Sequence, residues 1–282
     1  MKPGLESQTS VMVCTGRALA HGAPWAAGFS DPTALPLLPA EAQARVARIR
    51  SGRGPGSLRT RLSDVHLSGL SRSMVIRTLA IDEAVREAGA PQLVILGAGL
   101  DGRAWRMDAL RDVRVFEVDH PDTQRQKRAR AAALTPTARA IAFVPVDFAQ
   151  KNDLDAALAA SGHDPALPTT WIWEGVVMYL AQPDVEATLQ VVQRRSAPGS
   201  RLVVAYHRPA LMLRVLGPFL RRVGEPLRSA FTPEAMRALL GRHGLTVRRD
   251  RSLAELGAAL NPTLARASRA LRHLGIAVAD RA

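Results

Sequence analysis

The sequence predicts an α/β protein built on a doubly wound, mostly parallel β-sheet. In the central part of the chain, short apolar segments alternate with segments of helical character. Such alternation is typical of parallel strands joined by right-handed crossovers, with helices on both faces of the sheet. The first apolar segment, at 92–96, is followed by Gly97, Gly99 and Gly102, and the second ends on Asp119. This order predicts a nucleotide-type ligand site at the carboxyl edge of the sheet.

The part of the chain before the glycine turn is predicted to be helical. Residues 9–22 and 40–50 have helical composition, and residues 71–88 place apolar side chains at a helical spacing. We therefore predict an N-terminal helical cap at 1–70 and a main domain at 71–282.

Seven strands with helices between them are predicted for the main domain. The predicted strands lie at 92–96, 113–118, 141–146, 169–174, 201–206, 245–249 and 274–280. The predicted helices lie near 103–110, 121–134, 152–160, 183–196, 231–244 and 253–272, with Thr232 as an N-cap. The basic, amphipathic segment at about 208–230 interrupts the alternation, and we predict that it forms a helical lid.

Composition narrows the function classes. The 282 residues carry a net charge of +13, which by itself suggests a nucleic-acid partner. However, the arginines are scattered and aromatic residues make up only 4%, so we expect no nucleic-acid partner. No apolar run is long enough to cross a membrane, and the N-terminus lacks the apolar core of a signal peptide. With Cys14 as the single cysteine, we expect a cytoplasmic protein without a membrane partner; composition leaves the oligomeric state open.

The sequence lacks the motifs of two further classes of protein, metal-binding proteins and hydrolases with a nucleophile elbow. The seven histidines and the cysteine show none of the spacings typical of metal ligands, so no metal is predicted. A G-x-S-x-G elbow, which would indicate a hydrolase, is also absent from the sequence.

Acidic residues near the strand ends help to choose the cofactor. The glycine spacing alone also fits a nicotinamide dinucleotide, so an oxidoreductase is one alternative. Asp101 lies inside the turn, where it would repel a pyrophosphate but suit a ligand that carries an ammonium and a sulfonium. Asp147 and Glu174 end the third and fourth strands, and Phe148 could pack on an adenine ring. Because these strand ends meet at one crevice with Asp119, S-adenosylmethionine is the predicted cofactor.

Seven segments of the sequence, taken together, indicate one protein family more specifically than any one of them does alone. They are SDPTALPLLP, MVIRTLAIDEAV, LGAGLDGRAWRM, VFEVDHP, PVDF, WEGVVMYL and GEPLRSAFTPEAMRALLGRHGLTV. Together they resemble the leucine carboxyl methyltransferase family of class I methyltransferases, which includes bacterial polyketide carboxyl methyltransferases. The resemblance implies a Rossmann-like methyltransferase sheet. Gly102 departs from the family, where threonine or serine is usual, and the missing hydroxyl predicts weaker cofactor binding.

The resemblance also implies roles for individual residues. Arg77 would pair with the cofactor carboxylate, and Glu174 would contact its amino group. Asp119 would hold the ribose, with Glu117 beside it; a role for Glu117 as a partner within the fold is equally open. The predicted cofactor-binding residues are Arg77, Gly97, Ala98, Gly99, Asp101, Glu117, Asp119, Asp147, Phe148 and Glu174.

The methyl acceptor decides whether a general base is needed. A carboxylate is already ionised at neutral pH, whereas a phenol with a pKa near ~10 would gain from a base. Tyr206 and His207, at the end of the fifth strand, are the candidate catalytic residues. We predict an O-methyltransferase of secondary metabolism that acts on the carboxylate of a polyketide-like small molecule. The alternatives are a phenol or hydroxyl acceptor, an RNA methyltransferase, or a cofactor-binding paralogue without turnover.

Overall fold

A single seven-stranded sheet organises the computed structural model, which describes residues 7–52, 57–148, 153–209 and 228–282. The strands are β1 (Gln92–Leu96), β2 (Arg114–Asp119), β3 (Ala140–Pro145), β4 (Thr169–Trp173), β5 (Arg201–His207), β6 (Thr246–Ser252) and β7 (Leu274–Asp280). They lie in the order β3-β2-β1-β4-β5-β7-β6, and β7 runs opposite to the other six strands. The predicted doubly wound, mostly parallel sheet is confirmed.

Ten α-helices are found in the described part of the chain. They are α1 (Gln8–Ala20), α2 (Ala40–Arg50), α3 (Leu58–Ala88), α4 (Arg103–Arg106), α5 (Pro121–Ala131), α6 (Leu154–Ala160), α7 (Gln182–Arg194), α8 (Pro233–Arg242), α9 (Leu253–Ala258) and α10 (Pro262–Ser268). Short 3₁₀ turns occur at Pro24–Ala26, Asp108–Leu110, Val177–Tyr179 and Leu271–His273. Within the described ranges, no helix has the length and apolar character needed to cross a bilayer.

The helix predicted at 253–272 differs from the structure, whereas the predicted domain boundary and the predicted lid stay predictions. Helix α3 runs without a break through residue 70, so the predicted boundary between cap and main domain falls inside a helix. The helix predicted at 253–272 is interrupted, because the Asn261 side chain caps a new helix that begins at Pro262. Most of the predicted lid, residues 210–227, lies outside the described residues.

Apolar side chains on both faces of the sheet explain why the central strands consist of unbroken apolar runs. In β1, Leu93 and Ile95 face the core formed with α1 and α3, and Val94 and Leu96 face the opposite core. Parallel strands covered on both faces typically show such continuous runs. The carboxyl ends of β1, β2 and β4 therefore meet at one edge of the sheet, where the candidate site lies.

Candidate functional site

The glycine turn after β1 is held against the end of β2. The N–H groups of Gly97 and Ala98 both donate to the carbonyl oxygen of Val118, at 2.8 and 3.0 Å. Gly97 and Gly99 have φ of 73° and 47°, a backbone region that favours glycine. The turn therefore depends on glycine for its shape and on β2 for its position.

Asp119 closes β2 and is fixed by two backbone donors. One oxygen of its carboxylate accepts from the N–H of Gly99, and the other accepts from the N–H of His120 at 2.6 Å. Burial raises the pKa of Asp119 above its ordinary value, against the effect of these two hydrogen bonds. Each carboxylate oxygen can accept a second hydrogen bond, so the geometry fits a pair of ribose hydroxyls.

Arg77 and Glu174 are brought together at the end of β4. The Nε of Arg77, from α3, lies 2.5 Å from the Oε1 of Glu174. The Oε2 of Glu174 accepts from Nη1 of Arg103 at 3.2 Å. Burial disfavours the Glu174 carboxylate, but the two guanidinium groups outweigh it and hold the pKa of Glu174 below its ordinary value. An anion and a cation thus stand side by side, as a ligand with both an ammonium and a carboxylate requires.

Asp101 shares Arg103 with Glu174. The N–H of Arg103 donates to Asp101 Oδ1 at 2.8 Å, and Nη1 of the same residue donates to Asp101 Oδ2. The guanidinium of Arg103 keeps the pKa of Asp101 well below its ordinary range although the carboxyl is buried. Arg103 was not among the predicted site residues; its place directly after the turn, in LDGRAWR, was the available signal.

Asp147 and Phe148 lie just beyond β3 at the same edge. Asp147 Oδ2 is 3.7 Å from Nε2 of His120, the residue that follows Asp119. Phe148 is partly buried and packs against the core that includes Val94 and Leu96. The structure therefore brings Asp147 close to the residue after Asp119, as an adenine site would require.

Glu117 differs from its neighbour Asp119. Its side chain is fully buried, and its Oε2 lies 2.7 Å from Nζ of Lys127, from α5. Burial raises the pKa of Glu117 to about 7, against the ammonium of Lys127. Of the two roles open for Glu117, the geometry favours a partner within the fold over contact with a ribose.

Tyr206 is enclosed by the fold. Its hydroxyl donates to Asp250 Oδ2 at 2.7 Å, and Arg208 donates to the other oxygen of Asp250 at 2.8 Å. Burial and the neighbouring carboxylate raise the pKa of Tyr206 above its ordinary value. These contacts favour a structural role for Tyr206 over a role as a base.

His207 is the last residue of β5 and lies within electrostatic reach of Arg77. Its Nδ1 is buried and has no hydrogen-bond partner among the described residues, and its ring centroid is 6.0 Å from that of His273. Burial, helped by the charges of His273 and Arg77, lowers the pKa of His207 to about 4. The imidazole is therefore neutral at pH 7.

In the ranges that the structure covers, no group of three or more metal-ligating side chains is found.

The N-terminal segment packs directly on the glycine turn, which the sequence did not predict. A Cβ on Gly99 would lie 2.9 Å from Cβ of Ser10, and a Cβ on Gly102 would lie 1.9 Å from Oγ1 of Thr33. Arg17, from α1, donates to the carbonyl oxygen of Leu100. At residue 102 the space for a side chain is thus filled by the hydroxyl of Thr33.

Sequence comparisons relate the chain to methyltransferases. Residues 10–193 match the profile of the family described as leucine carboxyl methyltransferase. A "putative S-adenosyl-L-methionine-dependent methyltransferase" of Frankia alni is 39% identical over 188 residues, which cover 62% of this chain and 59% of that protein. A protein of the same name from Mycolicibacterium vanbaalenii is 37% identical over 211 residues, covering 70% of this chain and 66% of that protein. The chain thus spans less than two thirds of the length of these relatives.

Two crystal structures share the fold over nearly the whole chain. A DUF574 family protein from Streptomyces avermitilis has a TM-score of 0.58 at 16% identity and covers 95% of this chain and 97% of its own. A "putative methyltransferase" from Thermobifida fusca has a TM-score of 0.57 at 19% identity and covers 99% of this chain and 96% of its own. At these identities the likeness concerns the fold.

Proposed function

The chain belongs to the leucine carboxyl methyltransferase family, and we propose that it transfers a methyl group from S-adenosylmethionine to a carboxylate oxygen of a small molecule. The observation that carries the proposal is the pairing of Arg77 with Glu174 beside a strand end that presents Asp119. The names of the Frankia and Mycolicibacterium relatives support the choice of cofactor.

The residues present fit S-adenosylmethionine. Arg77 would hold its carboxylate, Glu174 its ammonium group and Asp119 its ribose hydroxyls. Asp147 would accept from the adenine amino group, and Phe148 would pack against the ring. The cofactor supplies a methyl group made electrophilic by a sulfonium sulfur. The chain's own residues would orient the two reactants in line and exclude water.

The state of His207 supports a carboxylate acceptor. A neutral imidazole with a pKa of about 4 is a weak base for a phenol, whose pKa is about 10. A carboxylate is already a nucleophile at neutral pH and needs no proton removed. The N–H of the neutral imidazole can instead donate a hydrogen bond and so position an anionic acceptor.

A product analysis tests this function. The protein is incubated with methyl-labelled S-adenosylmethionine and a panel of amphipathic acids and phenols, with Asp119→Asn as the control for cofactor-dependent labelling. We expect labelled methyl esters that mild base hydrolyses, and little label with the variant. Base-stable ethers would contradict the carboxylate acceptor and favour a phenol or hydroxyl. Cofactor binding without turnover on any acceptor would favour an inactive paralogue. The cytoplasmic location and the role in secondary metabolism remain predictions from the sequence.

A further inference from the structure

Arg103 has the most enclosed guanidinium group in the site. Its side chain has no exposed surface. Nε donates to Asp82 Oδ1 at 2.7 Å, whereas Nη1 donates to both Asp101 and Glu174. Nη2 has no hydrogen-bond partner among the described residues. One side chain thus connects helix α3, through Asp82, with the glycine turn and with the end of β4.

Arg103 stands at the centre of a buried charge ladder, a set of side chains joined by successive ion pairs. Arg77, Arg103, Asp101 and Glu174 form the part of the ladder that lies at the candidate site. Asp82 joins Arg103 to a more distant part, which consists of Arg106, Asp31 and Arg17. The formal charges of the ladder cancel. A buried charge without a partner is costly, so a ligand that enters such a ladder must itself bring equal numbers of positive and negative groups.

Glu174 is shared between two cations with different surroundings. Arg77 is partly exposed, with 19% of its side-chain surface accessible, whereas Arg103 is fully enclosed. If Arg77 turns to a ligand carboxylate, Glu174 loses one of its two cations. Arg103 remains anchored by Asp82 and Asp101, and it can keep Glu174 ionised and correctly oriented for an ammonium group.

We propose that Arg103 is a positioning residue that makes binding selective for the zwitterionic amino-acid end of the cofactor. Arg103 acts through Glu174 and Asp101, while Arg77 exchanges its contact with Glu174 for one with the ligand carboxylate. This inference rests on the proposed function, because it assumes that the site takes S-adenosylmethionine.

The test compares two ligands that differ in the amino-acid end. S-adenosylhomocysteine carries the ammonium and carboxylate groups, and 5′-methylthioadenosine lacks both. Binding of each is measured by calorimetry for wild-type protein, Arg103→Lys and the matched control Arg106→Lys. Arg106 contacts the same Asp82 at 2.7 Å but touches neither Asp101 nor Glu174 in the described structure. For Arg103→Lys we expect about 10- to 100-fold weaker binding of S-adenosylhomocysteine, the size typical of a lost hydrogen bond to a charged group. Binding of 5′-methylthioadenosine should change by less than about twofold. The control should keep the wild-type ratio of the two affinities.

Asp82→Asn provides a second variant in case Arg103→Lys does not fold. It loosens the Nε anchor of Arg103 and leaves Asp101 and Glu174 in place, so we expect a smaller loss that is again confined to S-adenosylhomocysteine. If these variants lose equal affinity for both ligands, or if Arg106→Lys shows the same selective loss, the proposed role of Arg103 is wrong. The proposed function would not be affected by that outcome. Wild-type protein that binds neither ligand would instead overturn the proposed function and this role with it.

Discussion

Replacing Tyr206 by phenylalanine separates a structural role from a catalytic one. The side chain is 1% exposed, and its hydroxyl donates to Asp250 at 2.7 Å. A hydrogen bond to a charged group contributes about 1.5–3 kcal/mol, and Arg208 still holds the other oxygen of Asp250 in the variant. We therefore expect Tyr206→Phe to lose about 2 kcal/mol of unfolding free energy. For a chain of this size, that lowers the melting temperature by about 4–8 °C.

Calorimetry and initial rates on the same preparation measure the two effects together. The methylation rate at a temperature well below unfolding should stay within about twofold of wild type, since general-base catalysis contributes about 100-fold or more and Tyr206 supplies none here. A variant with an unchanged melting temperature and a 100-fold lower rate would refute the structural role.

The pH dependence of stability gives an independent check on Tyr206. Its folded-state pKa is raised above the ordinary value near ~10. The phenol therefore contributes stability that is fully present below about pH 10 and is lost as the pH rises through the folded-state value. Wild-type protein should lose stability on this alkaline side more steeply than Tyr206→Phe, as denaturant melts between pH 9 and 11 would show. Parallel curves would contradict the buried hydrogen bond.

Three further predictions concern the site. Glu117→Gln should change the dissociation constant of S-adenosylhomocysteine by less than about twofold, whereas Asp119→Asn should raise it about tenfold or more. The reason is that only Asp119 lies at the open end of the strand. Calorimetry measures both constants, and equal losses of affinity would place Glu117 in the ligand site. Gly102→Thr should lower the free energy of unfolding by about 1–3 kcal/mol through overpacking, and Thr33→Ala in the same chain should restore part of that stability. Melting temperatures of the single and double variants measure both effects. Additive losses would contradict the steric explanation. Methylation of a carboxylate acceptor should be independent of the state of His207 between pH 6 and 8, because the imidazole becomes protonated only as the pH falls towards about 4; a rate that rises through pH 6–7 would contradict this.

The sheet could be predicted because its local signals agree with its environment. Strands β1 and β4 are buried at every residue and are mostly apolar, and a glycine or an acid follows each of them where the chain turns. The first half of α3 carried a weaker signal. Leu58, Leu62 and Val65 are largely exposed there, so the periodicity that marks a buried face is missing. That half begins instead at an N-cap, where Ser57 accepts from the N–H of Thr60 at 3.2 Å.

The acids of the site could be located from the sequence, but their partners could not. Asp119 ends β2, and Asp147 and Glu174 follow β3 and β4. These strands belong to the parallel run β3-β2-β1-β4, so strand order alone brings the three acids to one edge of the sheet. Glu117 lies two residues before Asp119 and so on the same face of β2, yet it faces Lys127 of α5. The packing of a helix across the sheet decides which of the two acids pairs with a cation. No local sequence pattern indicates that packing.

The contact of the N-terminal segment with the glycine turn is the largest feature that sequence patterns did not reveal. Arg17 reaches Leu100 across 83 positions of the chain, and Thr33 fills the space beside Gly102. The family match begins at residue 10, inside α1, and continues through the turn and β4. Both observations place this segment against the glycine turn, at the edge of the proposed cofactor site. Residue 102 is a glycine because the side chain of Thr33 occupies the space that a larger residue would need. The glycine and the threonine therefore depend on each other for their packing.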